Sequence, residues 1–160
     1  MKIDRAIREA ASASDELATH LLKIGERHKA DHDVHHLSRL LAKVSQGHVQ
    51  SLAAIADRYG TSFSASEPPE KAGPLSAVRE KASELMGSRP ESGLILLRDL
   101  RELYLSAAEA SVNWTILGQG AQAVRDQELL DTVDRCHADC LRILRWITTR
   151  LKVAAPQVLA

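Results

Sequence analysis

The sequence predicts an all-α antiparallel four-helix bundle: two helical hairpins joined by one long crossover that holds a short extra helix. Three observations predict it. Apolar residues recur every three to four positions through four long segments, and no segment shows the sustained alternation of a half-buried strand. Short polar links join the first segment to the second and the third to the fourth, as in antiparallel hairpins. Between the pairs lies the Pro/Ser/Gly-rich stretch GTSFSASEPPEKAGP, which cannot continue a helix.

The first helix is expected over about residues 4–29, with Ile3, Ile7, Ala10, Leu17, Leu21, Ile24 and His28 along one stripe. The second is expected over about 34–59, capped by Asp33 and stopped at Gly60, with Leu37, Leu41, Val44, His48, Leu52 and Ile55 inward. The crossover takes residues 60–90, with a helical piece near Leu75–Met86. The third helix, about 91–118, has Pro90 near its first turn and Gly118 and Gly120 after its end. The fourth, about 126–153, is capped by Asp126 and has Pro156 just beyond it. Its inward stripe reads Leu130, Val133, His137, Cys140/Leu141, Leu144, Thr148 and Leu151. All of this fits one domain spanning residues 1–160.

Composition narrows the function classes. Lys+Arg and Asp+Glu balance at 21 each, so no net charge favours nucleic acid or an anionic membrane, and no basic stripe interleaves with the few aromatic residues. No apolar run is long enough to cross a bilayer, and the charged start MKIDR lacks the apolar centre of a secretory signal. Two cysteines, Cys136 and Cys140, rule out a disulfide scaffold and favour a reducing, cytoplasmic setting. They read as small packing residues. No phosphate-binding glycine loop and no Ser-His-Asp signature is present.

The histidines draw the eye to ERHKADHDVHH, where His28, His32 and His36 share an i, i+4, i+8 spacing. Asp31 and Asp33 interrupt that face, so the cluster reads as a helix junction. A quieter signal lies elsewhere. At an offset of 89 residues, Leu41, Val44, His48 and Leu52 match Leu130, Val133, His137 and Leu141. Each histidine thus replaces an apolar residue in a core stripe, once per hairpin.

A di-iron bundle takes one Glu from each of two helices and Glu-x-x-His from the other two. Here the fourth helix offers Asp134-Arg-Cys-His137, and the second offers Ser45-Gln-Gly-His48 without the carboxylate. Glu109 falls in the row Leu105-Glu109-Val112-Ile116, which is expected to face the core edge. The stretches VSQGHVQSL and LYLSAAEASVNW resemble the bacterial stress-induced ferritin-like proteins, in which a Glu is usual at the position of Ser45. The resemblance implies a ferritin-like bundle with an inward metal site, bound to iron or another divalent metal through His48, Glu109, Asp134 and His137. It also implies a stress-related role. Ser45 in place of Glu and the shorter Asp134 depart from the di-iron pattern and point to a vestigial centre.

The third helix carries a second apolar row, Leu96, Leu100, Leu103, Ala107, Trp114 and Leu117, so it is apolar nearly all round. With outward Ile143 and Trp146 on the fourth helix, this row predicts a homodimer anchored by Leu103, Trp114, Leu117, Ile143 and Trp146. Two functions from different classes follow. One is a ferritin-like metal-associated or stress-related protein. The other is a non-catalytic bundle for protein–protein interaction, with a metal-free polar core layer. A hemerythrin-like use of the His28–His36 cluster is a third reading, set against the turn that Asp31 and Asp33 make.

Overall fold

The computed structural model describes residues 2–64 and 89–160. Four long helices account for nearly all of them: α1 Lys2–Arg27, α2 His32–Ala56, α3 Arg89–Val124 and α4 Gln127–Leu159, with a single 3-10 turn, Asp57–Tyr59, after α2. There is no strand among the described residues. The expected helical piece near Leu75–Met86 lies outside them.

The helices pack as a ring in which α1 meets α2 and α3, and α4 meets α3 and, more sparsely, α2. Contacts fix the directions. Arg27 and His28 at the end of α1 reach Asp99 near the start of α3, while Ile3 lies against Gly120 near the end of α3. Arg150 late in α4 reaches Asp31 before α2, and Arg58 after α2 reaches Glu128 at the start of α4. The end of α2 and the start of α3 therefore lie at opposite ends of the bundle.

One apolar cluster fills the centre, and α1 supplies its side as the spacing predicts, from Ile3 through Ile24. Every large apolar residue of α1 except the half-buried Leu22 is inside because its other face carries charge and hydroxyls, so only one orientation buries carbon without burying ions. Capping sets the helix starts. Asp31, not Asp33, caps α2, its carboxylate accepting from Val34 N at 3.0 Å, and Asp126 does the same for α4 through Leu129 N at 3.0 Å. The histidine cluster is the junction that the two aspartates suggested, with turn residues 28–30 between the helices.

Three features of the second hairpin depart from the expectation. Gly118 and Gly120 sit inside α3, which continues to Val124. At Gly118 a Cβ would stand 3.2 Å from Val133 Cγ1, so the missing side chain lets α4 approach closely. Pro156 lies inside α4, three residues before its last residue Leu159, so its missing donor disturbs only the last turn. The third departure is rotation of α3. The buried row is Leu100, Leu103, Ala107, Ala110, Trp114, Leu117 and Ala121, whereas Leu105, Val112 and Ile116 are more than half exposed.

That rotation corrects the dimer anchors. Leu103, Trp114, Leu117 and Ile143 are fully buried in the bundle core, and Trp146 packs partly buried against it, so they are not available to a partner. Both rows of α3 are apolar, but the row that won carries small Ala107 and Ala110, and its one buried charge, Asp99, is paired with Arg27 and His28 at the end of the bundle. The other would have drawn the Glu109 carboxylate toward the core. α4 turns with it: Ile143 is buried and Leu141 is 45% exposed.

Candidate functional site: the buried polar layer

His48 is the centre of the polar layer. It sits on the inward face of α2, 4% exposed, because its neighbours Ser45, Val49 and Leu52 hold that face in the core. Its Nε2 lies 3.3 Å from Asp139 Oδ2 on α4, and its ring meets Trp114 of α3 edge-on, with centroids 5.7 Å apart. Burial, helped by the nearby Arg135 guanidinium, pushes the imidazole pKa down to about 4. At neutral pH the ring is uncharged. Because a carboxylate only accepts, the Nε2–H tautomer faces Asp139. Asp139 is held in turn by Arg142 one turn further along α4.

His137, the repeat partner of His48, is differently placed. It is half-buried on the flank of α4 that meets α3, with its Nε2 2.9 Å from Ser111 Oγ. Glu109 and Asp134 are both exposed. The four residues named from the sequence are thus divided: His48 is paired across to α4, His137 across to α3, and the two carboxylates face outward. Among the described residues no three His, Cys, Asp or Glu side chains converge as a metal-binding group. Among the described residues the carboxylate paired with His48 is Asp139, and Ser45, on the turn before it, supplies no negative charge.

Sequence reasoning missed Asp139. It stands two residues beyond His137 and one before Cys140, just off the stripe drawn through α4, and it enters the layer because the helix is rotated from that stripe. The layer also contains polar atoms with no hydrogen-bond partner among the described residues, the Ser45 hydroxyl and the Trp114 indole N–H. Cys136 and Cys140 are buried free thiols; burial pushes Cys140 up to about 11, and its Sγ lies 3.4 Å from the Ala107 carbonyl oxygen. They pack, as expected, and are poor nucleophiles.

A second polar cluster links the hairpins at one end of the bundle. Asp99, 2% exposed, accepts from Arg27 Nη1 at 2.9 Å on both oxygens and lies 2.8 Å from His28 Nε2. A cavity of about 30 Å³ beside it is lined by His20, Lys23, Ile24, Arg27, Asp99, Glu102 and Leu103. That volume holds little more than a water molecule. The cluster therefore reads as a buried, satisfied ion pair that fixes how α1 meets α3. At the other end, the Tyr59 hydroxyl donates to Asp126 Oδ2, which holds the Asp126 carboxyl below its usual range.

No helix of the described residues is long and apolar enough to cross a membrane. Comparison of the chain with protein-family models, curated proteins and solved structures finds no match.

Proposed function

We propose that this chain is a ferritin-like bundle whose central polar layer is structural, and that it works as a non-catalytic protein-interaction module. The ring order and the opposite ends occupied by Tyr59 and Arg89 support the ferritin-like arrangement, which needs a crossover running the length of the bundle. The observation that carries the functional reading is the separation of donors. A two-metal centre needs carboxylates aimed inward beside the imidazoles, and Glu109 and Asp134 face outward while, among the described residues, His48 is paired with Asp139 alone. What remains is a neutral imidazole–carboxylate contact that fixes the register of α2 on α4, a role attested for buried polar groups in helical assemblies.

Metal analysis after expression with added iron, manganese and zinc tests it, on the wild type, His48→Ala and His137→Ala. The expected result is metal well below one per chain, unchanged by either substitution. Stoichiometric metal that both substitutions remove would overturn this reading in favour of a ferritin-like metal-binding, stress-related protein.

A further inference from the structure

The seam between α2 and α4 is the most open in the ring, for these two helices touch far more sparsely than the other neighbouring pairs. Two polar rungs cross it, Arg150 to Asp31 at one end and His48 to Asp139 near the middle. The rungs are seventeen residues apart on α2, about 25 Å of helix. Between them both walls are apolar. Leu37, Leu41 and Val44 stand eleven, seven and four residues before His48, so they share the line that His48 directs at α4. Opposite them, Trp146 stands seven residues after Asp139, on the line that meets α2. This carbon is incompletely covered. Leu37 is 37% exposed and Leu40, on the rim beside it, 57%, while Leu41, Val44 and Trp146 are half-buried.

The charge around the seam has one sign. From Val34 to Ala56 α2 holds no carboxylate, and α4 holds none after Asp139. The same stretches carry Arg39, Lys43, Arg142, Arg145, Arg150 and Lys152, in a chain whose charges balance overall. Arg142 and Arg150 are engaged, with Asp139 and Asp31. Lys43 and Arg145 are exposed and have no carboxylate within a turn on either side. By the register of the two rungs they stand at about the same height, one on each helix.

We propose that this seam binds an amphipathic helix of a partner protein, one whose apolar stripe is bordered by carboxylates. The stripe lies along Leu37, Leu40 and Val44, and the carboxylates reach Lys43 on one side and Arg145 on the other. Charge complementarity selects this occupant. A second copy presenting the same face would bring like charges together, and a basic helix would do the same. The shape agrees, since a trough between two helices accepts a cylinder and not the flat surface of a bilayer. One helix in one trough is a small contact, so the complex is weak, with a dissociation constant of about 10 μM.

The proposal rests on the interaction-module reading and gives it a partner class; metal content tests that reading and peptide binding tests this one, so each can fail by itself. The probe is a fluorescein-labelled peptide of about 18 residues, with leucines at helical i, i+3, i+7 spacing and glutamates on both flanks, titrated with the full chain by fluorescence anisotropy. Binding should weaken as salt rises, and a peptide with lysine in place of every glutamate should bind at least tenfold more weakly. Leu40→Asp should weaken binding by about tenfold or more and Arg145→Glu by about fivefold, both with the helical circular dichroism unchanged. Leu105→Asp, on the exposed row of α3, should leave it as in the wild type. Absence of binding by the acidic peptide up to about 500 μM overturns the proposal, as does equal binding by the lysine version. Equal weakening by Leu105→Asp overturns the seam in favour of α3. Phosphatidylserine vesicles that bind the wild type but not Leu40→Asp, where the peptide does not bind, overturn the occupant in favour of a lipid surface. A wild type that ignores the peptide and loses thermal stability in Leu40→Asp has the seam covered from within its own chain, which overturns the proposal too.

Discussion

The hairpins α1–α2 and α3–α4 fill the same core, yet they follow different rules. In the first, α1 exposes no large apolar side chain, and the chain leaves α2 through Gly60 in the left-handed region at φ 69°. In the second, α3 exposes an apolar row opposite its buried one, and the chain turns into α4 on Arg125 at φ 57°. The difference teaches that a helix facing only solvent on its far side needs one apolar face. A helix with two apolar faces has a second surface to cover, and its geometry is settled by close approach rather than by pattern.

The sharpest way to break this contrast is to cut each face of α3 in turn. Trp114 is fully buried and spans the core, so Trp114→Ala should lower unfolding stability by about 4 kcal/mol. Val112 is 58% exposed, and Val112→Ala should change the stability of the monomer by less than about 0.5 kcal/mol. Urea unfolding of both variants, at concentrations low enough to suppress association, measures the pair. Equal losses would mean that the two rows share the burial.

This is also where the sequence was least legible. The stripe of α1 could be read outright because charge excludes every other orientation. For α3 the same periodicity supports two orientations some half-turn apart, and the deciding features are long-range: Ala107 and Ala110 at the helix contacts, and Gly118 under Val133. A reading of one helix at a time has no access to these. The error then passed to the site, since turning α3 takes Glu109 out of the core and turning α4 replaces Asp134 with Asp139 as the carboxylate that meets histidine. His48 was recoverable because it interrupts an otherwise apolar face. The cysteines were recoverable because nothing beside them could make a thiolate useful.

The two repeat-related histidines sharpen the contrast at the level of protonation. His48 is buried and held neutral, with its pKa lowered to about 4 from an ordinary value of 6.5. Between those values the unfolded chain binds a proton that the folded chain does not, so stability falls as pH drops through that window. The contribution is present above pH 6.5 and is lost as pH falls toward 4, to a total of about 3 kcal/mol. His48→Gln keeps an N–H donor toward Asp139 but does not titrate, and should flatten the curve between pH 6.5 and 4. His137, half-buried against Ser111, serves as the control. If His137→Gln flattens the same window and His48→Gln does not, the assignment of the core histidine is reversed.

The smallest effect lies at the two turns, and it compares them directly. At both, the chain leaves the helix through the same pair of bonds. Gly60 N donates to Asp57 O at 3.1 Å and Thr61 N to Ala56 O at 3.3 Å; Arg125 N donates to Gln122 O and Asp126 N to Ala121 O, each at 3.1 Å. This is the left-handed exit in which glycine is usual, because a Cβ is strained there. Gly60 meets the requirement and Arg125 does not. Arg125→Gly should therefore raise stability by about 1 kcal/mol, and Gly60→Ala should lower it by a similar amount. Thermal unfolding of the two single variants reads both signs. A loss of stability in Arg125→Gly would show that the arginine side chain contributes more through its surroundings than its backbone strain costs, and that the exit from α3 differs from the exit from α2 in what that side chain supplies.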